Sequence, residues 1–183
     1  MKNTVFTFIL AVLVPLAAFA SKRAGNRPYV QGMDGPSVFY ARCIPDGPMG
    51  NKGTTTIMRV EAAHDVEVDQ YPWYSPRGVV LGWSPLKGKV AVMAFPDPSP
   101  DQEDRVEFSF YLAGTLLASY TTSDLQKLGV DAGPSHEGGK ASQYKLLGCV
   151  QVPGTNEYDF VIKSPSGAVT LKFDILTGRQ RAK

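Results

Sequence analysis

The sequence predicts an all-β fold, an antiparallel β-sandwich or barrel of about ten short strands with one short helix. Three observations predict it. From Ser37 onward, apolar and polar residues alternate with period two in one short run after another, the pattern of strands that bury one face. The 18 glycines and 14 prolines gather between those runs, where turns need them. Cys43 and Cys149, the chain's two cysteines, stand near the two ends of this patterned region, placed for one long-range bridge.

The elements follow in order. Residues 1–20, MKNTVFTFILAVLVPLAAFA, have one lysine, an apolar run broken by Pro15, and a final Ala-Phe-Ala. That is a secretory signal peptide with cleavage expected after Ala20, and its apolar run falls short of the roughly 20 residues of a membrane span. Residues 21–36 are polar and glycine-containing and read as a flexible N-terminal arm. Within it, Lys22-Arg23 is a dibasic step of the kind fungal secretory precursors often carry. A single β-domain is expected over 37–177, with strands near 37–44, 54–62, 65–70, 78–82 and 88–94.

The clearest strand is 105–112. Val106, Phe108, Phe110 and Leu112 alternate with Arg105, Glu107, Ser109 and Tyr111, which predicts one buried face and one wet face. Ala113-Gly114 turns the chain into a hairpin partner at 115–121. Ser123 and Gln126 have capping-box spacing and Gly129 supplies a stop, predicting a helix over 123–129. So short a helix needs Leu125 and Leu128 docked on the sheet to persist. Residues 130–143 are turn-formers without periodicity and read as a loop.

A strand at 144–152 and a hairpin of 157–163 with 168–175 complete the domain. Pairing Ile162 with Val169 and Phe160 with Leu171 puts Asp159 opposite Lys172 on the other face, an apolar face and a charge-matched face together. Residues 178–183 form a basic C-terminal tail, with Arg179, Arg181 and Lys183 read as a solvated end.

The chain carries 19 basic and 17 acidic residues, a balance that gives no reason to expect a nucleic-acid partner. In an oxidising compartment two cysteines predict a disulfide, Cys43–Cys149. The chain-entropy model assigns about 4.7 kcal/mol to so long a loop. Those cysteines with His64 and His136 make no zinc-ligand spacing. Gly-rich phosphate loops are missing as well, so no cofactor is expected.

Three stretches are candidates for chemistry. In Val66-Glu67-Val68-Asp69-Gln70-Tyr71, Glu67 and Asp69 would share one face of a strand about 7 Å apart, a catalytic separation for paired carboxylates. The run resembles the first half of the E-x-D-x-x-E or E-x-D-x-E motif of retaining β-sandwich glycosidases. Tyr71 and Pro72 stand where the second acid belongs, leaving no general acid. The acidic stretch 96–104 offers Asp97, Asp101, Glu103 and Asp104 as calcium ligands, although its three prolines favour an extended linker.

The third stretch is YPWYSPRGVVLGWSP, residues 71–85, in which an aromatic–Ser–Pro step occurs twice. Aromatic rings on loops stack on sugars and anchor interfaces, which makes Tyr71, Trp73, Tyr74 and Arg77 the candidate ligand-binding residues. Trp73 and Tyr74 are adjacent, so one of them is expected to be exposed, and Trp83 is expected in the core. The sequence thus predicts a secreted, extracellular, non-enzymatic binding protein for a glycan or another extracellular protein, directed at a host or a cell wall. A small carbohydrate-active hydrolase using Glu67 and Asp69 is the alternative.

Overall fold

The computed structural model describes residues 25–33, 38–97, 104–130, 144–164 and 166–181. The expected signal peptide, Lys22-Arg23, Asp101, Glu103, His136, Lys183 and most of the expected 130–143 loop lie outside these. The described chain is all-β with one short helix. Its eleven strands form three antiparallel sheets, and every expected strand position is occupied.

The first sheet has the order β1-β2-β3-β4: Tyr29–Gly32, Phe39–Pro45, Gly53–Arg59 and Val66–Tyr71. The second runs β5-β6-β7-β8: Val79–Ser84, Lys89–Ala94, Val106–Leu112 and Thr115–Thr121. α1, Thr122–Lys127, follows β8 directly. The third contains β9 (Lys145–Gln151), β10 (Tyr158–Lys163) and β11 (Thr170–Asp174) in the order β11-β10-β9. All three sheets are open, so the barrel expected as one alternative is not the fold.

The second sheet feeds two cores, one on each face. Val79, Leu81, Val90, Val92 and Ala94 pack with Ala41, Cys43 and Ile57 of the first sheet. Ala91, Met93, Phe108 and Phe110 pack with Phe160, Ile162, Leu171 and Phe173 of the third, and with Leu125 of the helix. Burial on both faces explains why β6 reads KVAVMA, an almost unbroken apolar run. Each fully buried Phe or Leu contributes roughly 1.5–3 kcal/mol, and Phe108, Phe110, Phe160 and Phe173 are all fully buried.

This layering overturns the disulfide. Among the described residues no disulfide is present. Cys43 belongs to the core between the first and second sheets, with Thr55 Oγ1 donating to its Sγ at 3.6 Å. Cys149 packs on the other core, and a Cβ added to Gly82 would meet its Sγ at 2.8 Å. Leu81 and Gly82 are neighbours on β5 and face opposite sides, so that strand stands between the two thiols. A disulfide needs Cα atoms within about 7 Å and Cβ vectors that converge.

Described residues of the expected arm and tail also take part in the fold. β1 pairs with β2 through Tyr29↔Cys43 and Gln31↔Ala41, and Tyr29 Oη donates to the Ser75 carbonyl at 2.7 Å. Residues 29–32 are therefore the outer strand of the first sheet. At the other end, Arg181 donates to Asp159 at 2.6 Å and to Glu157 and Asp174 at 2.7 Å each.

That guanidinium explains the register of the C-terminal hairpin, which is shifted by two from the expected one. Phe160 faces Phe173 and Ile162 faces Leu171, while Asp159 meets Asp174 and Lys172 meets Val161. Two carboxylates placed opposite each other repel, and Arg181 neutralises them. The helix cap also moves. Thr121 is the N-cap and exchanges side-chain and backbone hydrogen bonds with Asp124, a capping box two residues earlier than the Ser123–Gln126 spacing predicts.

Candidate functional site

The chain crosses from the first sheet to the second through residues 72–78, and these crossing residues wall a cavity of about 340 Å³. Hydrogen bonds from several directions hold the crossing. Thr55 Oγ1 donates to the Trp73 carbonyl at 2.9 Å, the Tyr74 amide donates to the Asn51 carbonyl at 2.8 Å, and the Ser75 hydroxyl accepts from the Phe95 amide at 2.8 Å. A scaffold this constrained sets the rings without relying on loop flexibility.

Both aromatic–Ser–Pro steps are turns. Gly78 N donates to the Ser75 carbonyl at 3.1 Å and Gly88 N to the Ser84 carbonyl at 2.9 Å, each glycine having positive φ, +97° and +59°. The first turn enters β5 and the second closes the β5–β6 hairpin. Trp83 is half-buried and stacks on Phe39 at 4.9 Å between ring centroids.

The four candidate residues separate in space. Tyr71 is fully buried and stands behind the cavity wall, its hydroxyl donating to Asp69 Oδ2 at 2.9 Å. Tyr74 is also buried and donates to the Arg27 carbonyl at 2.8 Å, although its ring edges the cavity. Trp73 is half-buried. It therefore comes closest to the exposure expected of one of the adjacent pair. Arg77 turns away to Glu107, with Nη1 3.4 Å from Oε2, and lies over the Phe95 ring at 5.9 Å.

The ring that completes the wall, Tyr111, is one that sequence reasoning assigned to solvent. Trp73 lies 4.8 Å from Tyr111 and 5.0 Å from Tyr71, and Tyr71 lies 5.5 Å from Tyr111, so the three rings form a triangle. Burial pushes the Tyr111 hydroxyl above its ordinary pKa, which keeps it a neutral donor and acceptor at physiological pH. Ser109, Val106 and Arg105 share the same wall. The supposedly wet face of β7 is thus turned inward.

A β-bulge at Glu107 accounts for part of this. Val106 pairs with Thr121 and Phe108 with Tyr120, leaving Glu107 unmatched in the ladder. Val106 therefore leaves the Phe108 face and joins Ser109 and Tyr111 at the cavity. Glu107, only 1% exposed, binds Arg105 Nε at 2.8 Å and accepts from Thr122 Oγ1 at 3.2 Å. The carboxylate so fixes Arg105 at the rim. Across the opening, Asn51 and the Asp97 backbone bond twice, with Asp97 N to Asn51 Oδ1 at 2.6 Å and Asn51 Nδ2 to the Asp97 carbonyl at 3.3 Å.

A second bulge breaks up the catalytic candidates. Asp69 pairs with Ile57 and Glu67 with Met58. Ile57 and Met58 are consecutive, so their partners face opposite sides of the sheet, and Val68 is the extra residue. Asp69 turns inward to Tyr71 while Glu67 is exposed. His64 is exposed as well. Of the calcium candidates, Asp97 belongs to the Asn51 clamp, and Asp104 Oδ1 accepts from the Ser123 amide at 2.9 Å. Among the described residues no three His, Cys, Asp or Glu side chains gather as a metal site.

Trp73 lines the cavity, while its indole Nε1 is buried and makes no hydrogen bond. Such donors are rare in folded proteins and call for an explanation. No family model, curated protein or solved structure matches the chain, so the reading of this site rests on its geometry. Among the described residues no helix is long and apolar enough to cross a membrane.

Proposed function

We propose that the protein is a secreted, non-enzymatic binding protein whose partner is a glycan held in the cavity beside Trp73. The observation that carries this reading is the combination of aromatic rings and anchored polar groups around one 340 Å³ space. Ligand sites span roughly 300–1,000 Å³ and join apolar walls to a few fixed polar groups. Trp73 and Tyr111 bring aromatic surface to the lining, suited to sugar C–H groups, and Asn51, Ser109 and Arg105 bring polar side chains suited to hydroxyls. The signal-like leader supports export. The hydrolase alternative lacks this support, because Glu67 and Asp69 do not share a face.

A glycan array with intrinsic tryptophan fluorescence as the second readout tests the proposal. Binding is expected together with a fluorescence change, and Trp73→Ala should weaken it at least about tenfold, the 1.4 kcal/mol scale of an interface anchor. Silence of both readouts across the array would sink the glycan reading and turn attention to an extracellular protein partner.

A further inference from the structure

We propose that the outer face of the third sheet holds the chain of an acidic polysaccharide through Lys145, Lys163 and Lys172, at a surface separate from the cavity. Each strand of the sheet supplies one of these lysines. Lys145 on β9 pairs directly with Lys163 on β10, and Lys172 on β11 pairs with Val161, which makes it a diagonal neighbour of Lys163. Phe160, Ile162, Leu171 and Phe173 fill the core from the opposite face, so the three lysines point away from it. Lys145 and Lys172 are exposed and Lys163 is half-buried.

The same face carries two like-charged cross-strand pairs, and the fold treats them differently. At one end Asp159 faces Asp174, and Arg181 donates to both carboxylates and to Glu157. At the other end Lys145 faces Lys163, and among the described residues none of the three lysines forms an ion pair. Directly opposed side chains have Cβ atoms about 5 Å apart and diagonal ones about 7–8 Å, and like charges directly opposite destabilise a sheet. An anionic ligand would supply at the lysine end what Arg181 supplies at the acidic end. Whole-chain charge hides this asymmetry, because 19 basic and 17 acidic residues nearly cancel.

The two ends also select the shape of the ligand. Asp159 and Lys163 stand at opposite ends of β10, about 13 Å apart at the rise of a strand. A flat anionic membrane laid on this face would meet Glu157, Asp159 and Asp174 as well as the lysines. A slender chain crossing the three strands at the lysine end avoids them. Lys163 reaches the turn that closes this end, since a Cβ added to Gly167 would lie 3.5 Å from its Nζ. Ammonium groups act as point charges without the fork of arginine, which suits sulfates or carboxylates spaced along a sugar chain. The choice of a polysaccharide over other anionic polymers rests on the export expected from the leader, and not on the cavity.

The test measures binding of the protein to dextran sulfate, polygalacturonate, uncharged dextran and phosphatidylserine-containing vesicles, by calorimetry and co-sedimentation. At least one acidic polysaccharide should bind and dextran should not, with affinity falling roughly twentyfold from about 50 to about 200 mM salt, the counterion release of three contacts on a flexible chain. Lys145→Gln/Lys163→Gln/Lys172→Gln should weaken binding at least about tenfold, with a melting temperature unchanged or raised because the opposed charges are gone. Lys52→Gln/Lys87→Gln/Lys89→Gln, which removes the same charge from exposed lysines elsewhere, should bind as the wild type does.

Full-strength binding by the first variant, or equal losses in both, would overturn the assignment to this face. Vesicles binding as tightly as the polysaccharides would overturn the slender chain in favour of a membrane surface. Silence of both acidic polysaccharides at low salt would remove the proposal and leave the cavity reading to the neutral glycans of the array.

Discussion

Glu107 carries the most concentrated electrostatics in the fold. It is 1% exposed and lies between Arg77 and Arg105, whose side chains are 24% and 15% exposed. Removing one member of such a group strands the others, at about 3–5 kcal/mol for a buried pair. Glu107→Gln is therefore expected to lower the urea-derived stability by about 3 kcal/mol and to loosen Arg105 at the cavity rim. An unchanged midpoint would show that the two arginines are satisfied without it. Gly82 gives a steric counterpart. Its added Cβ would lie 2.8 Å from Cys149 Sγ and 3.2 Å from Phe160 Cζ, so Gly82→Ala should cost about 1–3 kcal/mol. Thermal melts of the double variant Gly82→Ala/Cys149→Ala should recover part of that loss, since the closer clash is with the sulfur while the Phe160 contact remains.

β-bulges decide the arrangement of the elements, and they are what period-two reading misses. Val68 on β4, Glu107 on β7 and Leu147 on β9 are each unmatched by a partner residue. A bulge reverses the face of everything beyond it. That separates Glu67 from Asp69, brings Val106 to the cavity, and lets Leu146 and Cys149 both face the core although three positions apart. The helix behaves more locally. Backbone hydrogen bonds hold the Asp124 carboxyl, from Thr121, and the Asp104 carboxyl, from Ser123, below the usual carboxylate range. Depressed folded-state values mean that their stabilisation is complete above the unfolded pKa, near 4, and is lost as pH falls through the lower folded values. Amide exchange in α1 should accelerate as pH drops below about 4, after correction for intrinsic rates. In Asp104→Asn/Asp124→Asn that acid limb should disappear; its persistence would assign the effect to other groups.

Across the whole molecule, the three-sheet arrangement holds the two cysteines apart. Alkylation of denatured, unreduced protein should label both thiols, and dithiothreitol should leave the melting temperature unchanged; a mass two units lower would restore the bridge. The C-terminus is expected to matter more than its position suggests. Arg181 joins Glu157, Asp159 and Asp174, and nearby the Gln180 amide donates to Tyr120 Oη at 3.2 Å while that hydroxyl donates to the Gly178 carbonyl at 3.0 Å. These bonds tie the third sheet to β8. Arg181 is one-third exposed and Asp159 almost buried, so Arg181→Ala should cost about 2 kcal/mol, between the exposed and buried limits for ion pairs. Chemical denaturation measures this, and a change below a few tenths would make the tail dispensable.

The sequence by itself determined the all-β class, the positions of every strand but the first, the turns at the two aromatic–Ser–Pro steps and the short helix, because those features depend on periodicity and on glycine, proline and capping chemistry close along the chain. It also named Trp73 among four candidate residues, without separating it from Tyr74. Tertiary structure alone decided that the middle sheet would be buried on both faces, that Tyr111 and Ser109 would turn inward to meet Trp73, that Arg181 would balance two opposed carboxylates, and that Cys43 and Cys149 would lie on opposite sides of β5. The physical reason is common to all four. Which face of a strand is wet depends on what covers it and on bulges that reverse it, and neither is encoded in the spacing of residues along that strand.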